Sequence, residues 1–355
     1  MTGDEGTDER RLRTGRRFLG SPWPSVLVAS VAAALALALR WRGADLAAQV
    51  FRADLFRRYG FVLWNDLWFG GHPTLGYSVL FPPLGALFGP VALGALCVIA
   101  TAACVDRLLR GHFGARATVG SLWFAFSIVT NLAVGRVTFL LGIAFALGAL
   151  LALQRRHSWA ATSLGLLSAL SSPVAAVFLG IAVVAWAGRE RTRWRVAAMV
   201  LVATALPLVA VSLAFPTSGS FPFESWALVW NLVVCAAVWG ALPPNERVLR
   251  RAAVVYAIAN IGVYAVPNAL GGNVGRLGQY AAGPILACVL LPARRRRLLL
   301  AAAPLLFWQW FPAADAIAAA AHDPSTHAAF YTPLLDALHQ QSADPVRVEI
   351  PLTKN

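Results

Sequence analysis

The sequence predicts an all-α fold: a polytopic transmembrane helical bundle of about eleven helices, one pair of them a broken short-helix hairpin. Three observations carry that prediction. Of the 355 residues, 58% are hydrophobic and only 13% charged, with a mean hydropathy of +0.64. A soluble chain is nearer about 45–50% apolar and about 25% charged, so there is too little polar surface here to coat a water-soluble body. Apolar runs of helix length recur along the chain, and clusters of arginine separate them. Disorder, a collagen-like repeat and a disulfide-rich secreted module are all excluded by the same composition.

The formal net charge is +14, and Lys354 is the only lysine. In a soluble protein this basicity would suggest nucleic acid. Here the arginines lie in short segments between apolar runs, the pattern of cytoplasmic anchoring, and no nucleic-acid partner is expected. Cys97, Cys104, Cys235 and Cys288 have no metal or redox spacing and read as small core residues.

Taken in order, Met1 to Ser21 is a polar, arginine-rich tail, and residues 1–22 read as cytoplasmic. Pro24 to Leu39 is an uncleaved first helix, because its flank Arg40-Trp41-Arg42 lacks a small-residue cleavage site. The second run spans Pro83 to Val105, and a pair follows at Ala117–Val134 and Val137–Leu153. Trp159 to Ala187 has arginines at both ends, which a single crossing cannot satisfy. Ser171-Ser172-Pro173 at its middle resolves the parity, since proline breaks the helical ladder. Two helices of about 14 residues would each be about 21 Å long, short of the about 30 Å hydrocarbon core. Further runs at Ser225–Leu242 and Ala252–Ala269 flank Arg247, Arg250 and Arg251, and Arg294 to Arg297 form the densest block. With every cluster inside, the protein is a multi-pass protein of the cytoplasmic membrane, N-terminus inside and C-terminus outside. The transmembrane domain is expected over 23–312 and an extracytoplasmic segment over 313–355.

The first outer loop, 40–77, is the place to look for chemistry. Ala44 to Arg58 reads as an amphipathic surface helix, with Phe51, Leu55 and Arg58 on one face. Asp45 opens the loop, Asp54 follows, and Asp66 and His72 sit in a turn-rich stretch. An acid at the end of a membrane helix is costly unless paired or used. If Asp45 is inert, Arg42 or Arg52 pairs with it. Arg136, in the very short outer turn 135–136, and Arg276, in the outer loop Gly271-Gly272-Asn273-Val274-Gly275-Arg276, defy the positive-inside tendency. Glycines let backbone N–H groups approach a phosphate and arginine binds it through two donors, so Asn273 and Arg276 are candidate phosphate contacts. The inert role of Arg136 and Arg276 would be snorkelling to headgroups. Glu224 reads as an interfacial acid.

The order helix one, Gly43-Ala44-Asp45, an amphipathic stretch, Trp64-Asn65, Gly70-Gly71-His72-Pro73 and Tyr77-Ser78 before Phe81-Pro82-Pro83 resembles a known group. This is the actinobacterial multi-pass membrane proteins often labelled 6-pyruvoyl-tetrahydropterin-synthase-related, a label inherited from domain naming. They are similar in layout to GT-C-type glycosyltransferases, which use polyprenyl-phosphate sugars. Gly135-Arg136, Ser171-Ser172-Pro173 and the segment 271–276 extend the resemblance over most of the chain.

The resemblance implies an inverting transferase that moves a sugar from a polyprenyl-phosphate donor to an envelope glycan or lipid. Asp45 matches the position of the family's base. Ala44 and Leu46 flank it, so the paired-acid form is absent, which leaves a single base and no support for a metal; no nucleotide-binding fingerprint is present, so no other cofactor is expected. In this reading Asp66, His72, Arg136, Asn273 and Arg276 bind substrate. Membrane lipid, the sugar donor and the acceptor are the expected partners. A transporter or flippase, and a scaffold for envelope assembly, are the competing readings. Toward the C-terminus Pro324–Gln341 reads as an amphipathic helix and Pro345–Pro351 as a short strand with no sheet to join. The family continues there into an outer domain, so the chain reads as truncated.

Overall fold

The computed structural model describes residues 23–67, 74–215, 219–291 and 294–341. It is an all-α bundle. Helix α1 is Trp23–Ala38 and α2 is Asp45–Tyr59, followed by a two-residue hairpin of β1 (Trp64–Asn65) and β2 (Thr74–Leu75), paired antiparallel. Then come α3 (Phe81–Phe88), α4 (Pro90–Phe113), α5 (Ala117–Val134) and α6 (Val137–Gln154). Helices α7 (Ser158–Ser171), α8 (Pro173–Ala187), α9 (Arg191–Ala214), α10 (Ser225–Ala241) and α11 (Arg247–Ala265) complete the middle of the bundle. A 3-10 turn at Gly271–Gly275 leads into α12 (Arg276–Leu290), and α13 (Arg295–His322) and α14 (Thr332–Gln341) end the described chain.

Five stretches are long and apolar enough to cross a membrane: Pro90–Val134, Val137–Gln154, Arg191–Ala214, Arg247–Ala265 and Arg295–His322. They mark a membrane protein. Only 17% of the apolar window in each of α9 and α11 is buried within the protein. Val202, Leu206, Val209 and Leu213 on α9, and Ile258 and Ile261 on α11, point outward. In water such patches would be an aggregation hazard; against lipid tails they cost nothing.

Successive helices run in opposite directions, so the connections gather at two ends. The loop end carries residues 40–67 and 74–80, the α5–α6 turn, 219–224 and 266–275. At the arginine end Arg251 packs over Gly188, and His112 Nε2 meets Glu246 Oε2 at 2.7 Å. The hairpin expected from the parity argument is present as α7 and α8. Pro173 takes the first position of α8, where no N–H is needed, and Ser172 Oγ caps the helix by accepting from Ala175 N. The hairpin tip also receives the first outer loop, because Val79 N donates to Leu170 O at 2.8 Å.

Four expectations need correction. The second apolar run is not one helix: Gly89, at φ 79°, breaks it into α3 and α4, each opening on proline. On α2 the buried residues are Leu46, Gln49, Ala53 and Leu55, while Arg58 is exposed, so the buried face is offset from Phe51–Leu55–Arg58. The helix is held against α3, where Arg57 bonds to Ala86 O. Pro324–Gln341 is two 3-10 turns and α14 instead of one helix. Helix α13 continues through Pro304 and past the expected boundary at Pro312 to His322. Prolines are tolerated inside membrane helices because neighbouring groups satisfy the freed backbone. The strand expected at Pro345–Pro351 lies outside the described residues.

Buried polar side chains lock the bundle together. Gln309 on α13 accepts from Trp123 Nε1 at 2.8 Å and from Ser127 Oγ at 2.7 Å, and donates to Gln279 O on α12. Each such bond in a membrane interior contributes on the order of 0.6 kcal/mol.

Candidate functional site

The start of α2 is pressed onto the α5–α6 turn. Gly43 N donates to Ala133 O at 2.9 Å, and a Cβ on Gly43 would lie 2.5 Å from Val134 Cα. Gly135 has φ +91°, and a Cβ there would lie 2.3 Å from Leu46 N. Only glycine fits either place. This contact sets Asp45, in the first turn of α2, beside Arg136. Arg136 Nε donates to Asp45 Oδ2 at 3.3 Å. The Asp45 side chain is 48% exposed and that of Arg136 20%. The inert reading named Arg42 or Arg52 as the partner of Asp45; the tight turn supplies Arg136 instead.

Arg276 opens α12 at the same end. Its guanidinium lies 5.2 Å from the centre of the Phe139 ring, over the start of α6. Asp45, Arg136, Tyr77 and Tyr280 are all within its electrostatic reach. Tyr280, one turn deeper on the same helix, is buried and shares a 2.8 Å hydrogen bond with Thr130. Arg52 stands 4.3 Å from the centre of the Tyr77 ring. The ring is 40% exposed, but its hydroxyl points inward to Thr138 Oγ1 at 3.3 Å. Burial alone would raise the Tyr77 phenol. The Arg52 guanidinium and hydrogen bonds from Thr138, Arg52 and Gln49 together outweigh it and hold the group below the usual phenol range.

The cluster thus sets Arg52, Arg136 and Arg276 against one carboxylate, a net charge of +2. Below it lies a cavity of about 890 Å³. Its walls are apolar, with Ile143, Leu147 and Leu150 of α6 facing Phe178 of α8 and Leu277 of α12. Arg276 and Tyr280 line its loop end, and Arg156 and Arg193 its arginine end. The cavity follows α6 from Phe139 to Gln154, about 22 Å at 1.5 Å per residue.

Among the expected site residues, Asp45, Arg136 and Arg276 converge. Asn273 is half-buried in the 3-10 turn one turn before Arg276, with its backbone N–H bonded to Leu270 O. Asp66 lies half-buried on the bend after β1. His72 lies outside the described residues. Asp54 pairs with its neighbour Arg57 and belongs to the packing of α2. Glu224 serves as the residue before α10, its carbonyl accepting from Ala227 N and Leu228 N.

The sequence reading overlooked Gln49, Arg52, Tyr77 and Tyr280 as site residues. Two signals were available. Asp45, Gln49 and Arg52 fall at i, i+4 and i+7, one polar stripe on α2. Tyr280 is four residues after Arg276, on the same helix face.

Among the described residues no group of three His, Cys, Asp or Glu side chains is gathered that could hold a metal ion. No family model, curated protein or solved structure matches the chain.

Proposed function

We propose that the protein is a glycosyltransferase of the cytoplasmic membrane that takes a sugar from a polyprenyl-phosphate donor and passes it to an envelope glycan or lipid hydroxyl. One observation carries this reading: an apolar cavity of about 890 Å³ has Arg276 at its loop end, and Arg276 lies within electrostatic reach of the Asp45–Arg136 pair. A long hydrocarbon chain fits the cavity, and its phosphate meets Arg276 and Arg136. The arginine end is cytoplasmic by the positive-inside rule, which places the loop end outside, with the N-terminus in and the C-terminus out.

Asp45 takes the proton of the acceptor hydroxyl. The acceptor oxygen attacks the anomeric carbon from the face opposite the phosphate. The bond between that carbon and the phosphate oxygen breaks, and polyprenyl phosphate leaves with the electron pair, so the anomeric centre inverts. Arg276 and Arg136 stabilise the charge that develops on the leaving phosphate. The carboxylate is accessible enough for an acceptor to reach it, and its bond to Arg136 orients it.

The depth of the cavity, with arginines at both ends, also favours a second reading, a lipid carrier without chemistry. Transfer of radiolabelled sugar from polyprenyl-phosphate donors, in membranes holding the protein or Asp45→Asn, separates the two. The transferase gives labelled product that the variant loses at equal abundance, by about 100-fold or more for loss of a general base. A carrier gives none with either.

A further inference from the structure

A second set of buried polar atoms meets the arginine cluster at Arg52 and takes no part in the bond making and breaking above. Gln49 is 3% exposed. Its Oε1 and the Nη1 of Arg52 are both buried without a hydrogen-bond partner. They lie three residues apart on the stripe of α2 that begins at Asp45. The Gln49 amide and the Arg52 guanidinium both face the Tyr77 hydroxyl, which is held in turn by Thr138. Arg52 also lines a small cavity of about 30 Å³ with Asn65 and Ser78, room for a group the size of one or two waters. Buried polar groups are nearly always paired, so an unmatched acceptor beside an unmatched donor marks a place where something polar docks.

The chemistry of that ligand follows from the pair. Gln49 Oε1 needs a donor, and Arg52 Nη1 needs an acceptor. An ionised phosphate only accepts and leaves Gln49 unmatched. An ammonium only donates and leaves Arg52 unmatched. Hydroxyl groups on neighbouring carbons supply both, since each hydroxyl donates once and accepts twice. We propose that Gln49 and Arg52 form a sugar-hydroxyl subsite that distinguishes a glycosylated polyprenyl phosphate from the bare lipid phosphate. The inference rests on the donor assigned to this site above, and it places sugar selection on α2, apart from phosphate binding by Arg276 and Arg136.

The test measures equilibrium binding to the full chain in lipid nanodiscs. The probes are decaprenyl phosphate and decaprenyl phosphates carrying glucose, mannose, galactose or arabinofuranose. The wild-type protein is expected to prefer at least one glycosylated lipid over the bare one. Gln49→Met should cut that preference about tenfold, the loss of one buried hydrogen bond, and leave affinity for the bare lipid unchanged. Gln49→Glu, which keeps an acceptor oxygen, should retain the preference. If Gln49→Met does not accumulate, Gln49→Asn, which withdraws the acceptor oxygen by one methylene, carries the same expectation. Equal wild-type binding of bare and glycosylated lipids overturns the subsite. So does a preference that survives the methionine variant, or a variant that loses the bare lipid as well. Failure of every lipid phosphate to bind the wild type removes the donor reading itself, and the subsite with it.

Discussion

Tyr77 shows how much a single side chain in this site depends on its neighbours. Burial opposes ionisation of its phenol, and the Arg52 charge with three hydrogen bonds overrides burial. At neutral pH the phenol is protonated in the folded and unfolded chain alike, so the shift lends no stability there. Its contribution appears as pH rises through the depressed folded value and is complete above the ordinary phenol value of 10.0. In an alkaline titration followed by phenolate absorbance, Tyr77→Phe should remove the earliest ionisation. Arg52→Met should move that step to higher pH. An unchanged first step in both variants would place Tyr77 away from Arg52. The carboxylate at 45 was legible in the sequence because an acid beside a membrane helix demands a reason. Its partner was not, because the pairing of Asp45 with Arg136 spans 91 positions and depends on a backbone contact that composition does not reveal.

Among the helices, the informative feature is how two short segments are held. Helix α2 reaches Arg136 only because Gly43 and Gly135 let backbone meet backbone. Gly135→Val adds a side chain to a left-handed residue already against Leu46, and should destabilise the protein by about 2 kcal/mol or more. A thermal unfolding midpoint close to that of the wild type would show that the turn has slack. The start of α12 is held differently. The Tyr256 hydroxyl accepts from Gly278 N at 3.0 Å and donates to Val274 O at 3.0 Å. It thereby stands inside the helical ladder on either side of Arg276. Tyr256→Phe should cost only about 1 kcal/mol of stability yet weaken lipid-phosphate binding by several-fold, because the first turn of α12 closes and carries Arg276 with it. Stability lost with lipid affinity intact would assign Tyr256 to packing alone. Most helix boundaries followed from hydropathy and arginine position, α5 at both ends and α1 nearly so. The α3–α4 break did not, because Gly89 sits inside an unbroken apolar run. The register of α2 did not either: its buried face of Leu46, Gln49, Ala53 and Leu55 includes the polar Gln49, which escapes a hydrophobic-periodicity argument.

For the molecule as a whole, the apolar runs from which charge parity implies eleven crossings carry helices α1, α3 with α4, and α5 through α13. What the sequence could not show was the space between them. The cavity borders eight helices, α4 to α9 with α11 and α12, and its walls read as ordinary apolar helix faces until they are assembled. Orientation gives one prediction at this scale: a cysteine placed at Asn268 should react with an impermeant maleimide from outside the cell, and one at Arg189 should not. The reverse labelling would invert the site. The account stands most directly on the claim that a lipid tail occupies this cavity with its phosphate at Arg276. The measurement is photo-crosslinking of the purified protein in nanodiscs with a polyprenyl phosphate carrying a diazirine in its chain, mapped by mass spectrometry. Labels on Leu147, Leu150 and Phe178 that fall away in Arg276→Ala are the predicted result. Labels confined to lipid-facing residues such as Val202 and Leu206, unaffected by that substitution, would contradict it.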